Sequence, residues 1–408
     1  MTPTEHDPTA HEAGSHGPSP REHRAAGDPA FTVRDTGGLP DDISERLVDT
    51  FRGHLAAREG GMAFSVHRAG EPLLQLHGGC ADRGSGRPWS ADTLAVLFSG
   101  TKGLTATLAA QQISRGTLDP QAPIAEYWPE FAAHGKADAR VHHVLDHTIG
   151  LPYVDPDPAS EEQRVDNQLM AARLAAQPTL WEPGTQVAYH AMTYGYLMAE
   201  ILHRVSGRTI SELLRTELAE PYGLDVHLAL PEAEEPRVAP IFRSAGYRIS
   251  TFLDEDPRRR AIVDRMYGSS LTSENPGFNT RLYHSAELAA GGGLGTAEAM
   301  ARLYSLLADP ESPILPAETR ALVTRTWSRG RDAINDRPVR FGLGFELDDP
   351  IGTYGPVRPA FGHTGAGGGL HGAWPERGLA FSFLPNEMQS EDVDRRVKDL
   401  LDILAEVE

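Results

Sequence analysis

Cysteine is almost absent from this sequence, which has 408 residues and a single cysteine, Cys80. An intramolecular disulfide needs two cysteines and a thiolate metal cluster needs several, so the composition excludes both. The histidines do not follow the spacing of metal ligands either. We therefore predict a protein without a bound metal and without a cofactor.

Long apolar stretches are also absent, because no run of about 18 apolar residues, the length that crosses a bilayer, occurs in the sequence. The first eight residues, MTPTEHDP, have no cationic start, no apolar core and no small-residue cleavage site. We therefore predict no membrane contact and a cytoplasmic location.

Positive charge is scarce. Lys and Arg number 38 against 57 Asp and Glu, which gives a formal net charge of -19. A chain with no basic face cannot replace the counterions of a phosphate backbone, so a nucleic-acid partner is excluded. A small-molecule acyl substrate is the partner that the motifs below predict, and a homo-oligomer stays open.

Residues 1–38 have little hydrophobic pattern. They are rich in Pro, Gly, His and acidic residues, and such a segment cannot offset the entropy lost on ordering. We predict that residues 1–38 form a disordered leader.

Hydrophobic spacing predicts the elements of the remaining chain. Apolar residues recur every fourth position over 43–57, which is typical of an amphipathic helix. Strands are predicted at 62–67, 73–77, 341–347, 371–374 and 379–384. Further helices are predicted near 99–115, 160–176, 193–205, 209–219, 296–308, 317–327 and 391–406.

This order of elements predicts an α/β (α+β) fold. Strands from both halves of the chain would form one antiparallel sheet flanked by helices, with a large helical insert between them. We predict an α/β sheet subdomain from 39–95 and 335–408 and a mainly helical subdomain from 96–334. The active site is expected at the seam between the two.

The strongest chemical signal is Phe98-Ser99-Gly100-Thr101-Lys102, which opens a helix. A serine and a lysine three positions apart lie on one helix face, so the amine can reach the hydroxyl. Serine needs a nearby base to become a nucleophile, and a desolvated lysine supplies one. Ser99 is therefore the predicted nucleophile and Lys102 its base.

This motif resembles the Ser-x-x-Lys motif of the serine β-lactamase and penicillin-binding protein superfamily, especially its carboxylesterases of the family VIII type. A second stretch, WEPGTQVAYHA at 181–191, is similar to the lead-in to that superfamily's Tyr-x-Asn motif. The resemblance implies that Tyr189 is catalytic. Ala191 replaces the asparagine, which weakens the case for β-lactam or peptide substrates, and His190 is expected to line the cleft.

A third stretch, FGHTGAGGG at 361–369, resembles the superfamily's Lys-Thr-Gly strand in a His-x-Gly form. The resemblance implies that His363, Thr364 and Gly365 bind substrate. It also implies that the backbone N–H groups of Ser99 and Ala366 form the oxyanion hole. Because His363 replaces a lysine, uncharged acyl donors are favoured.

Together these motifs imply a β-lactamase/transpeptidase-like fold and a serine hydrolase that forms an acyl-enzyme on Ser99. Hydrolysis of small carboxylic esters is the leading prediction. Three alternatives stay open: an acyltransferase or cyclising thioesterase of natural-product biosynthesis, a β-lactamase or D-amino-peptidase, and an inactive binding module.

Overall fold

One eleven-stranded sheet organises the chain, and its strands come from both ends of the sequence. The structure is a computed structural model that describes residues 21–23, 31–248, 256–267, 277–391 and 393–407. All neighbouring strands of this sheet run antiparallel. The predicted α/β fold, with an antiparallel sheet flanked by helices, is confirmed.

The strands follow the order β1-β2-β4-β3-β15-β14-β13-β12-β11-β10, and β5 pairs with β4. Their bounds are β1 Arg21–His23, β2 Phe31–Asp35, β3 Gly61–Arg68, β4 Glu71–Asp82, β5 Arg87–Pro88, β10 Ser328–Arg331, β11 Pro338–Phe341, β12 Glu346–Leu347, β13 Phe361–Gly365, β14 Gly369–Trp374 and β15 Leu379–Pro385. Two small sheets add β6 Ala95–Val96, β7 Val226–His227, β8 Phe242–Arg243, β9 Leu294–Gly295 and β16 Glu387–Met388.

Fourteen α-helices lie in the described part of the chain. They are α1 Asp41–Ala56, α2 Thr101–Ser114, α3 Ile124–Tyr127, α4 Val141–Leu145, α5 Glu161–Val165, α6 Asn167–Ala176, α7 Thr193–Ser206, α8 Ile210–Leu214, α9 Glu220–Tyr222, α10 Pro257–Tyr267, α11 Arg281–His284, α12 Ala297–Ala308, α13 Ala317–Thr324 and α14 Arg396–Leu404. A 3-10 turn, Phe98–Gly100, leads directly into α2.

Each face of the sheet buries a different core. Alternate side chains of a strand point to opposite faces, so β3 sends Phe64 and Val66 to one side and Ala63 to the other. Phe64 and Val66 belong to a core with Phe51 of α1 and Leu401 of α14. Ala63 belongs to the core that contains α2 and α12. Helices therefore cover both faces.

Helix α2 is buried on nearly every side, because residues 101–112 are all buried. Its sequence, TKGLTATLAAQQ, is rich in small and apolar residues, and a helix of that kind can be surrounded by other elements. The turn before α2 packs against β13. This contact holds the N-terminus of the helix against the sheet.

Part of the segment predicted to be a disordered leader forms a strand. Phe31–Asp35 forms β2, which pairs with β4 in the register Val33↔Leu76, so the leader prediction is wrong for this segment. Phe31 and Val33 alternate into the core of α1 and α14, an apolar spacing that the surrounding Pro and Gly residues concealed. Residues 24–30 and 1–20 lie outside the described residues. The division into two subdomains stays a prediction.

Several predicted elements are divided in the structure. The helix predicted near 160–176 becomes α5 and α6, since the Asp166 side chain accepts from Leu169 N and caps the second helix. The strand predicted over 341–347 becomes the ends of β11 and β12 around a turn at Gly344, whose φ of 83° favours glycine. The last helix begins at Arg396 rather than near 391.

Close packing at Gly195 of α7 predicts a stability effect. A Cβ at this position would lie 2.4 Å from the backbone N of Ala290, so Gly195→Ala must push the helix away from that segment. We expect Gly195→Ala to lower the free energy of unfolding by about 1–3 kcal/mol, measured by urea denaturation.

Gly53→Ala in α1 is the matched control. A Cβ there meets nothing within 4 Å, so alanine should be neutral or add about 0.5–1 kcal/mol of stability. Equal effects of the two substitutions would contradict the packing described.

Candidate active site

Ser99 lies in the middle of the 3-10 turn that precedes α2, and its hydroxyl is the meeting point of two other side chains. Lys102 Nζ lies 3.1 Å from Ser99 Oγ. Tyr189 Oη donates to the same oxygen at 2.6 Å. The structure thus brings together the three residues that the sequence predicts to be catalytic.

The amine of Lys102 is fully buried and held by backbone. Besides Ser99, it donates to the carbonyl oxygens of Ala191 at 2.8 Å and Ala290 at 2.9 Å. Burial lowers the pKa of Lys102 to about 7, although the charge of Glu346 opposes the shift. A neutral amine has two N–H donors and one lone pair, which match two carbonyls and one hydroxyl.

Tyr189 presents a protonated phenol to Ser99. Burial raises the pKa of Tyr189 well above its usual range, and the charge of Glu346 raises it further. Its backbone N–H donates to Asp332 Oδ2 at 2.6 Å, which fixes the main chain at this residue. The phenol is therefore a proton donor at neutral pH, and the neutral amine is the proton acceptor.

Strand β13 forms the opposite wall, and it approaches the Ser99 turn closely. A Cβ at Gly365 would lie 2.6 Å from Leu97 O, so only glycine allows this approach. Thr364 and Ala366 line a cavity together with Ser99. These two residues lie where the sequence predicts contact with substrate and with the oxyanion.

His363 is the exception in this strand, since it is fully buried and lines neither cavity at Ser99. Its Nδ1 lies 2.9 Å from Thr364 O, and its ring centroid is 6.0 Å from that of Tyr189. Burial lowers the pKa of His363 to about 4, so the ring is neutral. The ring packs near Tyr189 and lines neither cavity, and its predicted contact with substrate stays a prediction.

The sequence also predicts that His190 lines the cleft, and that role stays a prediction. His190 is 1% exposed and lines neither cavity at Ser99. Its Nε2 accepts from Leu151 N at 2.9 Å, and its Nδ1 lies 2.6 Å from Ala188 O. Both ring nitrogens are therefore occupied by backbone groups, which makes His190 part of the scaffold that holds Tyr189.

Two carboxylates that the sequence did not single out complete the site. Asp332 fixes Tyr189, as described above. Glu346 accepts from Tyr354 Oη at 2.8 Å and from Thr364 N at 3.1 Å. Both come from stretches without a recognisable motif, and only the folded chain brings them to Ser99. In the described ranges, no three His, Cys, Asp or Glu side chains form a metal-binding group.

Two cavities meet at Ser99, and both are lined by Ala366 and Tyr267. The first, which we call the charged cavity, has walls that include Tyr189, Asp332, Arg337, Arg340, Glu346 and Glu391. The second, which we call the apolar cavity, has walls that include Phe98, Met192, Phe278, Tyr283, Leu288 and Met388. Glu161, Arg164 and Arg243 also line the apolar cavity. Tyr189 lines only the charged cavity.

Fold and site together define the class: this is a serine hydrolase with a buried lysine beside the serine. The sequence profile of the family described as Beta-lactamase matches residues 46–405, and the chain belongs to that family.

Similar proteins agree with this assignment. An esterase/beta-lactamase of Mycobacterium tuberculosis, LipL, is 37% identical over 86% of this chain and 83% of its own length. A penicillin-binding protein homologue from Caulobacter crescentus is 32% identical, covers 91% of this chain and 99% of its own, and superposes with a TM-score of 0.82. A family VIII carboxylesterase is 29% identical, covers 91% and 98%, and has a TM-score of 0.81.

The described part of the chain contains no helix that is both long and apolar enough to cross a membrane.

Asp332 provides a test of how the site is held. Its side chain is 1% exposed and accepts backbone N–H groups from Tyr189, Ile334 and Asn335. Asp332→Ala leaves these donors buried without partners, so we expect it to lower the free energy of unfolding by at least about 2 kcal/mol in urea denaturation.

Glu318→Ala, at an exposed position of α13, is the control and should change the free energy of unfolding by less than about 0.5 kcal/mol. An Asp332→Ala protein as stable as this control would contradict the role described for Asp332.

Proposed function

We propose that this chain hydrolyses small carboxylic esters through a covalent acyl-enzyme on Ser99. The observation that carries the proposal is the position of Ser99 Oγ, 3.1 Å from Lys102 Nζ and 2.6 Å from Tyr189 Oη. A hydroxyl between a neutral amine and a protonated phenol has both an acceptor for its proton and a donor for the leaving group. The esterase and carboxylesterase names of two similar proteins support an ester substrate.

Acylation begins when Ser99 Oγ attacks the ester carbonyl carbon and its proton moves to Lys102 Nζ. The carbonyl oxygen becomes an oxyanion, and the backbone N–H groups of Ser99 and Ala366 stabilise it. Tyr189 donates its proton to the departing alkoxide and regains one from the Lys102 ammonium. The alcohol leaves, and the acyl group stays on Ser99 as an ester.

Deacylation uses the same groups in reverse. A water molecule enters the charged cavity, loses a proton towards Tyr189 and Lys102, and attacks the acyl carbon. Ser99 Oγ then leaves with a proton from the Lys102 ammonium, and the carboxylic acid is released. At the end of the cycle the buried amine of Lys102 is neutral again.

Two departures from the superfamily's motifs, Ala191 and His363, favour uncharged esters over β-lactam or peptide substrates. Ala191 offers no side-chain amide, and its carbonyl oxygen is already used by Lys102. His363 is neutral and fully buried, so no cation stands at that position of β13. An anionic substrate group that would pair with a cation at that position therefore has no partner in His363.

Ser99→Ala tests the nucleophile. A fluorophosphonate probe should add one covalent adduct to the wild-type protein in intact mass spectrometry and none to Ser99→Ala. The variant should hydrolyse p-nitrophenyl butyrate at least about 1,000-fold more slowly, since no acyl-enzyme can form.

Ser114→Ala, at the exposed C-terminal end of the same helix, is the control and should label and hydrolyse like the wild type. Undiminished turnover by Ser99→Ala would remove Ser99 from the mechanism.

The pH dependence tests the base. Because burial lowers the pKa of Lys102 to about 7, the amine is protonated and inactive as a base below that pH. We expect kcat/KM for an uncharged ester to fall about tenfold per pH unit below pH 7 and to level off above it.

Lys102→Arg carries a group that stays protonated at every accessible pH. Its kcat/KM should be at least about 100-fold lower than that of the wild type at every pH, and it should not increase between about pH 5 and pH 7. An unchanged kcat/KM between pH 5 and 8 in the wild type would argue against Lys102 as the base.

A further inference from the structure

The two cavities at Ser99 have different chemistry, and the direction of proton transfer tells which part of an ester each one takes. We infer that Phe98 is a specificity-determining residue: its ring narrows the apolar cavity beside Ser99, which receives the acyl group, so that esters of short apolar acids are preferred. This inference rests on the proposed function and adds the substrate class.

The tetrahedral intermediate of the reaction decides which cavity takes the alcohol part of the ester and which takes the acyl part. Besides Ser99 Oγ, that carbon carries an oxyanion, a leaving oxygen and the acyl chain. The oxyanion points to the backbone N–H groups of Ser99 and Ala366, and the leaving oxygen must meet the phenol of Tyr189. Tyr189 lines the charged cavity and not the apolar one. The alcohol part therefore lies in the charged cavity, and the acyl chain extends into the apolar cavity.

The walls agree with this division. Met192, Leu288 and Met388 give the apolar cavity flexible or aliphatic surfaces that suit a hydrocarbon chain. The other cavity combines charged side chains such as Arg340 with apolar ones such as Val339 and Phe341, so both polar and apolar groups of the alcohol find partners there.

Phe98 has a backbone conformation that its side chain disfavours. Its φ is 46°, in the left-handed region that glycine adopts freely and that costs other residues about 1–2 kcal/mol. Phe98 is adjacent to Ser99, and strained backbone of this kind is concentrated at functional sites. A phenylalanine at a position suited to glycine indicates that the aromatic ring has a functional role.

The ring of Phe98 forms part of the wall that the acyl chain would meet. It packs against Phe278 with ring centroids 5.1 Å apart and the planes at 87°, an edge-to-face contact. Both rings line the apolar cavity, and Met388 and Leu294 belong to the core beneath them. Removing the Phe98 ring extends the cavity next to the nucleophile itself.

Phe98→Gly is the decisive variant, because glycine keeps the backbone conformation and removes the ring. The measurement is kcat/KM for p-nitrophenyl acetate, butyrate and octanoate, which share one leaving group. We expect the octanoate-to-acetate ratio to rise at least about tenfold over the wild type, since each methylene accommodated in a pocket is worth that much or more. An unchanged ratio in an active Phe98→Gly enzyme overturns the inference.

Phe278→Ala is the second variant, and it opens the same cavity without touching the strained turn. It should shift the ratio in the same direction even if Phe98→Gly fails to fold, which circular dichroism and thermal melting would reveal. If Phe278→Ala folds and leaves the ratio unchanged, the apolar cavity is not the acyl site.

Val339→Phe is the matched control in the charged cavity. With the acyl group fixed as acetate, it should slow esters of bulky alcohols relative to methyl acetate and leave the octanoate-to-acetate ratio within about twofold of the wild type. A shift in the acyl ratio instead would reverse the assignment of the two cavities.

The failure of the proposed function looks different from the failure of this inference. The proposed function is wrong if the wild-type protein forms no fluorophosphonate adduct and hydrolyses none of these esters. If Ser99-dependent hydrolysis occurs with unaltered chain-length preference in both cavity variants, the proposed function stands, and both the acyl site in the apolar cavity and the role of Phe98 are wrong.

Discussion

One buried amine holds the active site together. Lys102 Nζ contacts the Ser99 hydroxyl in the turn before its own helix and the carbonyl oxygens of Ala191 and Ala290, so three separate segments converge on one nitrogen. A charged ammonium at this depth would be costly, whereas a neutral amine satisfies every partner. Small displacements of either carbonyl segment would therefore change both the position and the basicity of the amine.

The electrostatic balance at that nitrogen depends on Glu346. Burial lowers the pKa of Lys102, and the carboxylate of Glu346 opposes it from the wall of the charged cavity. Burial raises the pKa of Tyr189, and the same carboxylate raises it further; it also accepts from Thr364 N in β13. One acidic side chain thus tunes the base, the proton donor and the strand that faces the nucleophile.

Local spacing was sufficient to predict that Ser99 and Lys102 meet, and the family resemblance added Tyr189; the structure brings these three side chains together. The antiparallel sheet and most helices followed from apolar spacing. Residues that act through the fold escaped prediction: Asp332 and Glu346 stand in no motif, and only long-range pairing brings them to Ser99.

His190 and His363 show what a motif alone leaves open. Proximity to a motif says which segment reaches the site, but the direction of each side chain depends on the surrounding backbone. Neighbouring residues in a strand point to opposite faces, so Thr364 reaches the charged cavity while His363 packs behind Tyr189. Adjacent residues of one motif can therefore have unrelated roles.

The central pairing of β3 with β15 has a consequence for how the protein is made. Phe64 lies opposite Phe383, so the middle of the sheet joins segments more than 300 residues apart in the chain. Contacts of such high contact order form slowly, and during translation the early strands must wait until the late ones have left the ribosome. In the meantime the edge of β3 that faces β15 has no partner, so the two halves of the sheet can join only after β15 has been synthesised.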